Sequence, residues 1–352
     1  MDQGSGWVTG LDLGDKESVY CVIDEDGDLL DEGRLRSTPA AMREHFKALP
    51  PMRVVLEVGP SSRWVSALLV ELGHEGIVAN ARRVKLISEG HRKSDRVDAE
   101  LLARLGRADP ELLSPIQHRG GDSQAARGLV KSRAALVASR TQLINHVRGV
   151  VKTTGERLRS CSTHTFHRLV DEIPEELAPS LAPVMAMIEM LNRQIDVFDE
   201  LIEHACGLAF PETACLQQVN GVGPVTALTY VTTLEDPGRF ETSRSVGAYV
   251  GLVPRRDQSG EVDKQLRITK AGDPFLRSLL VNAAHHILGP FGQDSDLRRW
   301  GLKLCERGGK AAKKRAVVAV ARKLAVLLHR LWRTGEDYVP LLNADRAQPQ
   351  AG

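Results

Sequence analysis

The hydrophobic pattern changes twice along the chain and divides it into three segments. In residues 1–118, short runs rich in valine, isoleucine and leucine alternate with apolar residues at helical spacing, which predicts an α/β domain. In residues 119–208 apolar pairs recur every seven residues with almost no strand signal, which is typical of long paired helices. Residues 209–340 predict a mostly α-helical third domain, and we expect a disordered tail at 341–352.

The middle segment carries a heptad pattern in its second half. From Val184 to Ile202, apolar residues recur at alternating spacings of four and three, with Leu181 before them. Such a seam predicts a coiled coil between subunits, which would make the protein a homo-oligomer, either a dimer or a tetramer. An antiparallel hairpin of two helices within one chain satisfies the same pattern. Basic residues beside the first helix form either a nucleic-acid track or a solvated face: Lys131, Arg133, Arg140, Arg148 and Lys152.

The composition is that of a globular protein, with 42% hydrophobic and 26% charged residues. No apolar run approaches the roughly 20 residues that a membrane-spanning helix needs, and no targeting signal is visible. We therefore expect a cytoplasmic protein without membrane contact. The five cysteines are scattered and never form a C-x-x-C pair, which favours free thiols over a disulfide frame or a zinc ribbon.

Charge is distributed unevenly along the sequence. The net charge is only +2, yet residues 239–335 contain twenty Lys and Arg residues against eight Asp and Glu residues. This asymmetry indicates that the C-terminal part binds a polyanion, whereas the acid-rich N-terminal part binds cations. A basic surface that serves only solubility is the alternative.

Four acidic residues are candidate metal ligands. Asp12 lies inside an apolar run of the first predicted strand, where an unpaired buried carboxylate is unfavourable and a metal ion is the simplest partner. Glu57 ends a second β-branched run, and Asp95 and Asp98 share one side of a predicted helix. The four would suit two Mg²⁺ ions roughly 3.5–4 Å apart, an arrangement used for in-line phosphoryl transfer. Asp95 and Asp98 could instead form a solvated helix face.

The first strand has a pattern shared by two classes of protein. RNase H-like polynucleotidyl transferases and sugar-kinase or actin-type phosphotransferases both begin with an aspartate between apolar residues and glycines. The second class needs a phosphate loop rich in glycine, threonine and serine after this strand. Residues 15–17 are Asp-Lys-Glu instead, which favours the RNase H-like fold.

The C-terminal segment contains a candidate DNA grip and a candidate nucleophile. Gly221 and Gly223 lie between two predicted helices, and Pro224 is the first residue of the second helix. This pattern is typical of a helix-hairpin-helix element that binds a DNA backbone, with a plain tight turn as the alternative. Ser259 follows a Pro-Arg-Arg turn and precedes Gly260, so we expect it on a flexible loop. Basic residues suited to phosphate lie near this serine and on the last predicted helix: Arg255, Arg256, Arg267, Lys270, Lys313, Lys314 and Arg315.

These motifs occur in an order that resembles the DEDD transposases of the insertion-sequence 110 family. The resemblance runs from about residue 7 to residue 333, and its most specific parts are residues 93–100 and the Leu-Val-Pro-Arg of residues 252–255. It implies a RuvC-like N-terminal domain, a coiled-coil linker and a C-terminal transposase domain with a catalytic serine. It also implies that the protein cuts and rejoins donor and target DNA under the guidance of a structured noncoding RNA.

By position, the resemblance implies that Asp12, Glu57, Asp95 and Asp98 bind Mg²⁺ and that Ser259 is the nucleophile. Gln258 occupies the first of two positions at which the family often has serine, so Ser259 alone can serve there. Ser243 and Ser245 are the alternatives if this alignment is wrong.

Two other functions fit the sequence. One is a metal-dependent nuclease of the Holliday-junction type, in which water attacks and Ser259 is a surface residue. The other is an inactive scaffold that binds nucleic acid. The four acids disfavour the scaffold, and a separate basic domain with its own serine disfavours the plain nuclease.

Overall fold

The computed structural model describes residues 6–81, 94–259, 262–306 and 308–343, and for residues 257, 259 and 262–265 it describes the backbone alone. The chain divides into two compact units, residues 1–118 and 119–352. Both the helical segment and the C-terminal segment lie in the second unit, so their division at residue 208 stays a prediction. The expected disordered tail falls largely outside the described residues.

The first unit is built on a five-stranded sheet. Its strands are β1 (Val8–Asp12), β2 (Glu17–Ile23), β3 (Leu29–Arg36), β4 (Arg53–Glu57) and β5 (Glu75–Ala79). The order across the sheet is β3-β2-β1-β4-β5. The first three strands form an antiparallel meander, and β4 and β5 run parallel to β1. The α/β prediction for this segment is confirmed.

Among the residues that the structure describes, three α-helices cover the two faces of this sheet. Helices α1 (Pro39–Lys47) and α2 (Ser62–Glu71) lie on one face and α3 (Asp95–Ala108) lies on the other. Because strand side chains alternate, Val54 packs towards α1 and α2 while Val55 packs towards α3. Helix α3 ends before Asp109 and Pro110, as predicted, since the residue before proline avoids helical dihedral angles.

Helix α3 lies against β1 at a glycine. A Cβ atom added to Gly10 would lie 1.9 Å from the carbonyl oxygen of Ala99 and 2.5 Å from the nitrogen of Ala103. Further along the helix, a Cβ atom on Gly106 would lie 2.3 Å from Cγ2 of Val55. The missing side chains therefore let the helix backbone touch the sheet directly.

The second unit is mostly helical. Its helices are α4 (Gly121–Lys152), α5 (Ala178–Leu208), α6 (Thr213–Gln217), α7 (Pro224–Leu234), α8 (Ser243–Tyr249), α9 (Pro274–Leu288), α10 (Asp296–Cys305) and α11 (Gly309–Thr334). Two strands, β6 (Pro254–Ser259) and β7 (Val262–Ile268), pair in an antiparallel ribbon between α8 and α9. Within the described residues, no helix is long and apolar enough to cross a membrane.

Helices α4 and α5 form an antiparallel hairpin with polar contacts in its middle. Arg133 pairs with Asp199, and two turns later Arg140 donates to Oδ1 of Asn192 at 2.7 Å, so the two chains run in opposite directions. These contacts separate two hydrophobic clusters. The cluster near the rest of the unit includes Ala126, Val130, Ile202 and Cys206. The distal cluster includes Ile144, Val147, Val151, Phe166, Met185 and Ile188.

The predicted heptad seam is the inner face of this hairpin. Ile188, Ile195 and Ile202 are buried inside the single chain. The seam therefore packs α5 on α4, which corrects the expectation that it forms the contact between subunits. The alternative of a hairpin folded on itself describes the structure.

Candidate active site

Asp12 and Glu57 lie at the same edge of the sheet. Strands β1 and β4 are parallel neighbours, and Leu11 is in register with Leu56, so the next residue of each strand is one of the two acids. Both leucines are fully buried, whereas both acids are only partly buried. The carboxyl ends of β1 and β4 thus present two carboxylates next to each other.

Asp95 and Asp98 start the helix that lies across these strands. Because Gly106 packs over Val55 and Val8 while Ala99 packs over Gly10, α3 runs towards the amino ends of β1 and β4. Its first turn, with the two aspartates, therefore lies over the carboxyl ends. The side chain of Ser94 caps the helix by accepting from the N–H of Val97, and carboxylates are favoured at a helix N-terminus.

The backbone thus places all four predicted acids at one edge of the sheet. Asp95 is exposed and Asp98 is partly buried. Across the part of the chain that the structure describes, no three His, Cys, Asp or Glu side chains are close enough to hold one metal ion. Carboxylate oxygens are nevertheless the ligands that Mg²⁺ and similar cations prefer. The donor type and the shared edge fit a divalent metal, and the metal tetrad itself stays a prediction.

Ser259 is the last residue of β6, so the expectation of a flexible loop is corrected. It pairs with Val262 at the tip of the β6–β7 ribbon, and Gly260, which follows it, lies outside the described residues. At the other end of the ribbon, Pro254 pairs with Ile268. The strand pairing holds the backbone of the candidate nucleophile at the end of β6.

The basic residues predicted around this serine all lie exposed on the ribbon or at its base: Arg255, Arg256, Arg267 and Lys270. Lys313, Lys314 and Arg315 are also exposed, in the first turns of α11, whose opposite face buries Ala312, Ala316 and Val317. Both groups are therefore accessible to a polyanion such as nucleic acid.

The alternative serines have different surroundings. The hydroxyl of Ser243 lies 2.9 Å from Nδ1 of the fully buried His329, whose Nε2 lies 3.0 Å from the carbonyl oxygen of Pro237. Since a carbonyl only accepts, Nε2 carries the hydrogen and Nδ1 accepts from Ser243. Burial lowers the pKa of His329, with a further contribution from Arg333, so the imidazole is neutral near pH 7. The hydroxyl of Ser245 lies 3.2 Å from the hydroxyl of Thr242, and its N–H donates to the carbonyl oxygen of Thr242 at 3.1 Å.

The turn between α6 and α7 contains Gly221 and Gly223. Gly221 has a φ of +88°, and a Cβ atom on it would lie 3.2 Å from the carbonyl oxygen of Ala283 in α9. Packing against α9 therefore accounts for this glycine. Gly223 is exposed and Pro224 is the first residue of α7, as predicted. The use of this turn as a DNA grip stays a prediction.

Three arginines of the possible track on α4 have structural partners. Arg133 and Arg140 pair with α5, and Arg148 donates to the carbonyl oxygen of Leu158 and stacks on the ring of Phe166 at 5.0 Å. They hold the helical hairpin together. Only the exposed Lys131 and Lys152 of that set fit a solvated face.

Sequence reasoning missed the residues that hold the base of the ribbon. Arg277 of α9 donates to the carbonyl oxygens of Val250 and Ala271, at 3.1 and 2.6 Å. A Cβ atom on Gly272 would lie 2.0 Å from the carbonyl oxygen of Tyr249. The signal in the sequence was the pair of glycines at 251 and 272, which bracket the ribbon and both have positive φ.

Two family models match the chain. A model of DEDD transposases of IS110 elements matches residues 9–155, which include the four acids. A model described as transposases of the IS116/IS110/IS902 family matches residues 213–296, which include Ser259.

Similar proteins match over most of the chain. The transposase for insertion sequence element IS1111A of Coxiella burnetii is 29% identical over 340 residues, which are 94% of this chain and 91% of that protein. Transposase y4pF/y4sB of Sinorhizobium fredii is 30% identical over 306 residues, 84% and 77% of the two chains. The pilin gene-inverting protein of Moraxella bovis is 26% identical over 249 residues, 70% and 68%. The chain therefore belongs to the IS110/IS116/IS902 family of insertion-sequence transposases and is a DNA transposase or recombinase.

Proposed function

We propose that this transposase cuts and rejoins DNA through a covalent bond between Ser259 and a DNA phosphate. The observation that carries the proposal is the position of Ser259 at the tip of a ribbon with exposed arginines along it. The match of residues 213–296 to the transposase family model supports the same assignment.

The covalent phosphoserine conserves the energy of the phosphodiester bond that is broken. The hydroxyl oxygen of Ser259 bonds to phosphorus while one bridging P–O bond breaks, the hydroxyl proton passes to a base, and the released deoxyribose oxygen takes a proton. A hydroxyl of another strand then attacks the phosphoserine and frees Ser259. One P–O bond forms for each that breaks, so strands can be exchanged without ATP.

The basic side chains of the ribbon hold the DNA during this exchange. Arg255, Arg256 and Arg267 offer guanidinium groups for charge-assisted hydrogen bonds to phosphate oxygens, and Lys270 adds a positive charge at the base. Their charge also stabilises the negative charge that develops on the phosphoryl oxygens.

DEDD family membership implies a divalent metal, and we propose that the four acids of the first unit would hold it as Mg²⁺. When bound, the ion neutralises phosphate charge and lowers the pKa of a coordinated hydroxyl. Asp12 and Glu57 would supply ligands from the sheet edge, and Asp95 and Asp98 would supply ligands from the start of α3. The sheet order β3-β2-β1-β4-β5, with its antiparallel meander and two parallel strands, supports a RuvC-like, RNase H-like domain.

The nucleic-acid partners are donor and target DNA together with a structured noncoding guide RNA. The exposed basic start of α11 and the excess of basic residues in positions 239–335 support a large polyanionic surface. The name of the Moraxella relative says that it inverts a pilin gene, which supports rejoining as well as cutting.

We also propose that the protein is a homo-oligomer through the outer face of α5. Because the inner seam is used within the chain, the subunit contact needs another surface. Five apolar side chains on the outer face are 43–73% exposed and follow heptad-like spacing: Met187, Met190, Val197, Leu201 and Leu208. A second copy of this helix would cover them as in a coiled coil.

The test is to incubate the protein with a labelled DNA substrate and its guide RNA and to look for a protein–DNA adduct that survives denaturation. We expect wild type to form the adduct, and peptide mapping to place the labelled phosphate on the peptide that contains Ser259. Ser259→Ala should lose both adduct and cleavage. Asp95→Asn should lose both while still binding DNA, because it keeps its shape but loses ligand charge.

Ser243→Ala is the matched control. If that variant loses the adduct and Ser259→Ala keeps it, Ser243 with its His329 partner is the nucleophile. If wild type cuts DNA with free ends and forms no adduct, and Ser259→Ala cuts equally well, the protein is a metal-dependent nuclease that uses water.

A further inference from the structure

Asp273 stands between the ribbon that carries Ser259 and helix α9. It follows the end of β7 by five residues and caps α9, since its Oδ1 accepts from the N–H groups of Phe275 at 2.8 Å and Leu276 at 2.9 Å. Its second oxygen, Oδ2, accepts from Arg127. The carboxylate of Asp273 therefore both caps α9 and pairs with Arg127.

Arg127 reaches this carboxylate from the helical hairpin. Its side chain is only 7% exposed, and its other terminal nitrogen donates to the hydroxyl of Thr233 in α7. A buried guanidinium needs such partners because its charge is poorly solvated. Burial alone raises the pKa of Asp273, but the hydrogen bonds from Leu276 and Arg127 outweigh it and lower that pKa below its ordinary value.

A helix cap does not require this ion pair. Helices α3 and α10 are capped by the hydroxyls of Ser94 and Ser295 alone. An aspartate at the start of α9, with one oxygen directed to a buried arginine of α4, therefore does more than cap the helix.

The backbone segments at the base of the ribbon pack closely enough that the position of Asp273 determines the position of the ribbon. The N–H of Thr269 donates to Val253 at 2.9 Å, and the N–H of Lys270 donates to Gly251 at 3.1 Å. A Cβ atom on Gly251 would lie 2.3 Å from the carbonyl oxygen of Ala271. Because these backbones are in direct contact, a shift at residue 273 moves all of the residues at the base of the ribbon.

We infer that Arg127 is a positioning residue: through Asp273 it fixes the direction of the β6–β7 ribbon, and so of Ser259, relative to helix α4. The inference rests on the proposed role of Ser259. It implies that the helical hairpin determines where the ribbon holds the backbone of Ser259.

The decisive variant is Asp273→Ser, which keeps a capping hydroxyl and removes the ion pair. We expect the rate of adduct formation at saturating DNA to fall about 10-fold or more, because small displacements of a reacting group strongly lower rates. The Kd for DNA should change less than about 2-fold, since this side chain is not among the exposed basic groups. Amide hydrogen exchange at residues 250–256 and 266–272 should accelerate in the free protein.

Four further variants complete the design. Asp294→Ser breaks an exposed ion pair with Arg299 next to α10, so it is the matched control and should leave rate and exchange unchanged. Arg127→Met combined with Asp273→Ser should be no slower than Asp273→Ser alone, since both remove the same contact. Arg127→Lys restores a positive charge and should recover much of the exchange protection that Arg127→Met loses.

An adduct rate and exchange pattern of Asp273→Ser equal to those of wild type would overturn the inference. So would a loss of rate that is seen at low DNA concentration and disappears at saturating DNA, since it would reflect weaker binding alone. If wild type forms no adduct at Ser259, the proposed function fails, and the exchange comparison then decides the positioning role alone: faster exchange supports it, and unchanged exchange overturns it.

Discussion

Replacing Gly10 by alanine should separate helix α3 from the sheet and move two of the four acids. The new Cβ atom would lie 1.9 Å from the carbonyl oxygen of Ala99, whereas ordinary contact begins at 3.4 Å, so the helix backbone must withdraw by about 1.5 Å. Asp95 and Asp98 travel with α3, while Asp12 stays on β1. The variant therefore changes the spacing of the acids without changing any of them.

The loss of stability in Gly10→Ala can be estimated from the known cost of overpacking. Forcing an extra carbon into a close-packed interface typically costs about 1–3 kcal/mol. At roughly 4 °C per kcal/mol for a domain of this size, the Tm should fall by about 4–12 °C. Displacing catalytic groups by about 1 Å can lower rates by about 10²-fold, so cleavage should fall much further than stability does.

The assay compares Tm with metal-dependent cleavage of labelled DNA, measured well below the lower Tm. Gly76→Ala is the matched control, since Gly76 lies in β5 of the same sheet and its added Cβ would lie 3.6 Å from the nearest atom. It should behave like wild type. A Gly10→Ala protein with unchanged Tm and cleavage would show that the close contact between α3 and β1 does not position the acids.

Three shorter predictions concern other parts of the chain. The pKa of buried His329 lies below its ordinary 6.5, so its contribution to stability is present above pH 6.5 and is lost as pH falls through the folded-state pKa. In this pH range His329→Gln should reduce the slope of the unfolding free energy, measured with urea, against pH by at most about 1.4 kcal/mol per pH unit. Identical slopes for wild type and variant would contradict this. Charging Val197 and Leu201 on the outer face of α5 should lower the mass in light scattering, whereas an unchanged oligomer would exclude that face. Neutralising the basic start of α11 should reduce the salt dependence of DNA binding by roughly 0.9 per phosphate contact, and an unaffected slope would assign these residues to solubility: Lys313, Lys314 and Arg315.

The first unit was predictable because its strands bury at least one regular face. Val54, Val55 and Leu56 are all buried and precede Glu57, so the end of a central strand could be placed from sequence. The same logic placed Asp12, and Pro110 marked the end of α3. The shared edge of the acids then followed from the parallel pairing of two adjacent strands.

The β6–β7 ribbon was missed for the opposite reason. Its paired residues are largely polar, with Arg256 opposite Gln265 and Gln258 opposite Asp263, so no apolar alternation marks a strand. Arg127 was missed because an arginine on a helix gives no sign of burial until its partner, 146 residues away, is known. Non-local partners likewise hid the structural role of Arg140.

The polar contacts inside the α4–α5 hairpin have a consequence for how the protein changes over evolutionary time. Arg133 with Asp199 and Arg140 with Asn192 divide the hairpin into a base that shares the main core and a distal end with a core of its own. Substitutions in the distal core therefore change the packing of the distal side chains and not that of the main core. We therefore expect that the distal end tolerates insertion or deletion of whole helical turns while the core that includes Ala126 and Val130 keeps its packing.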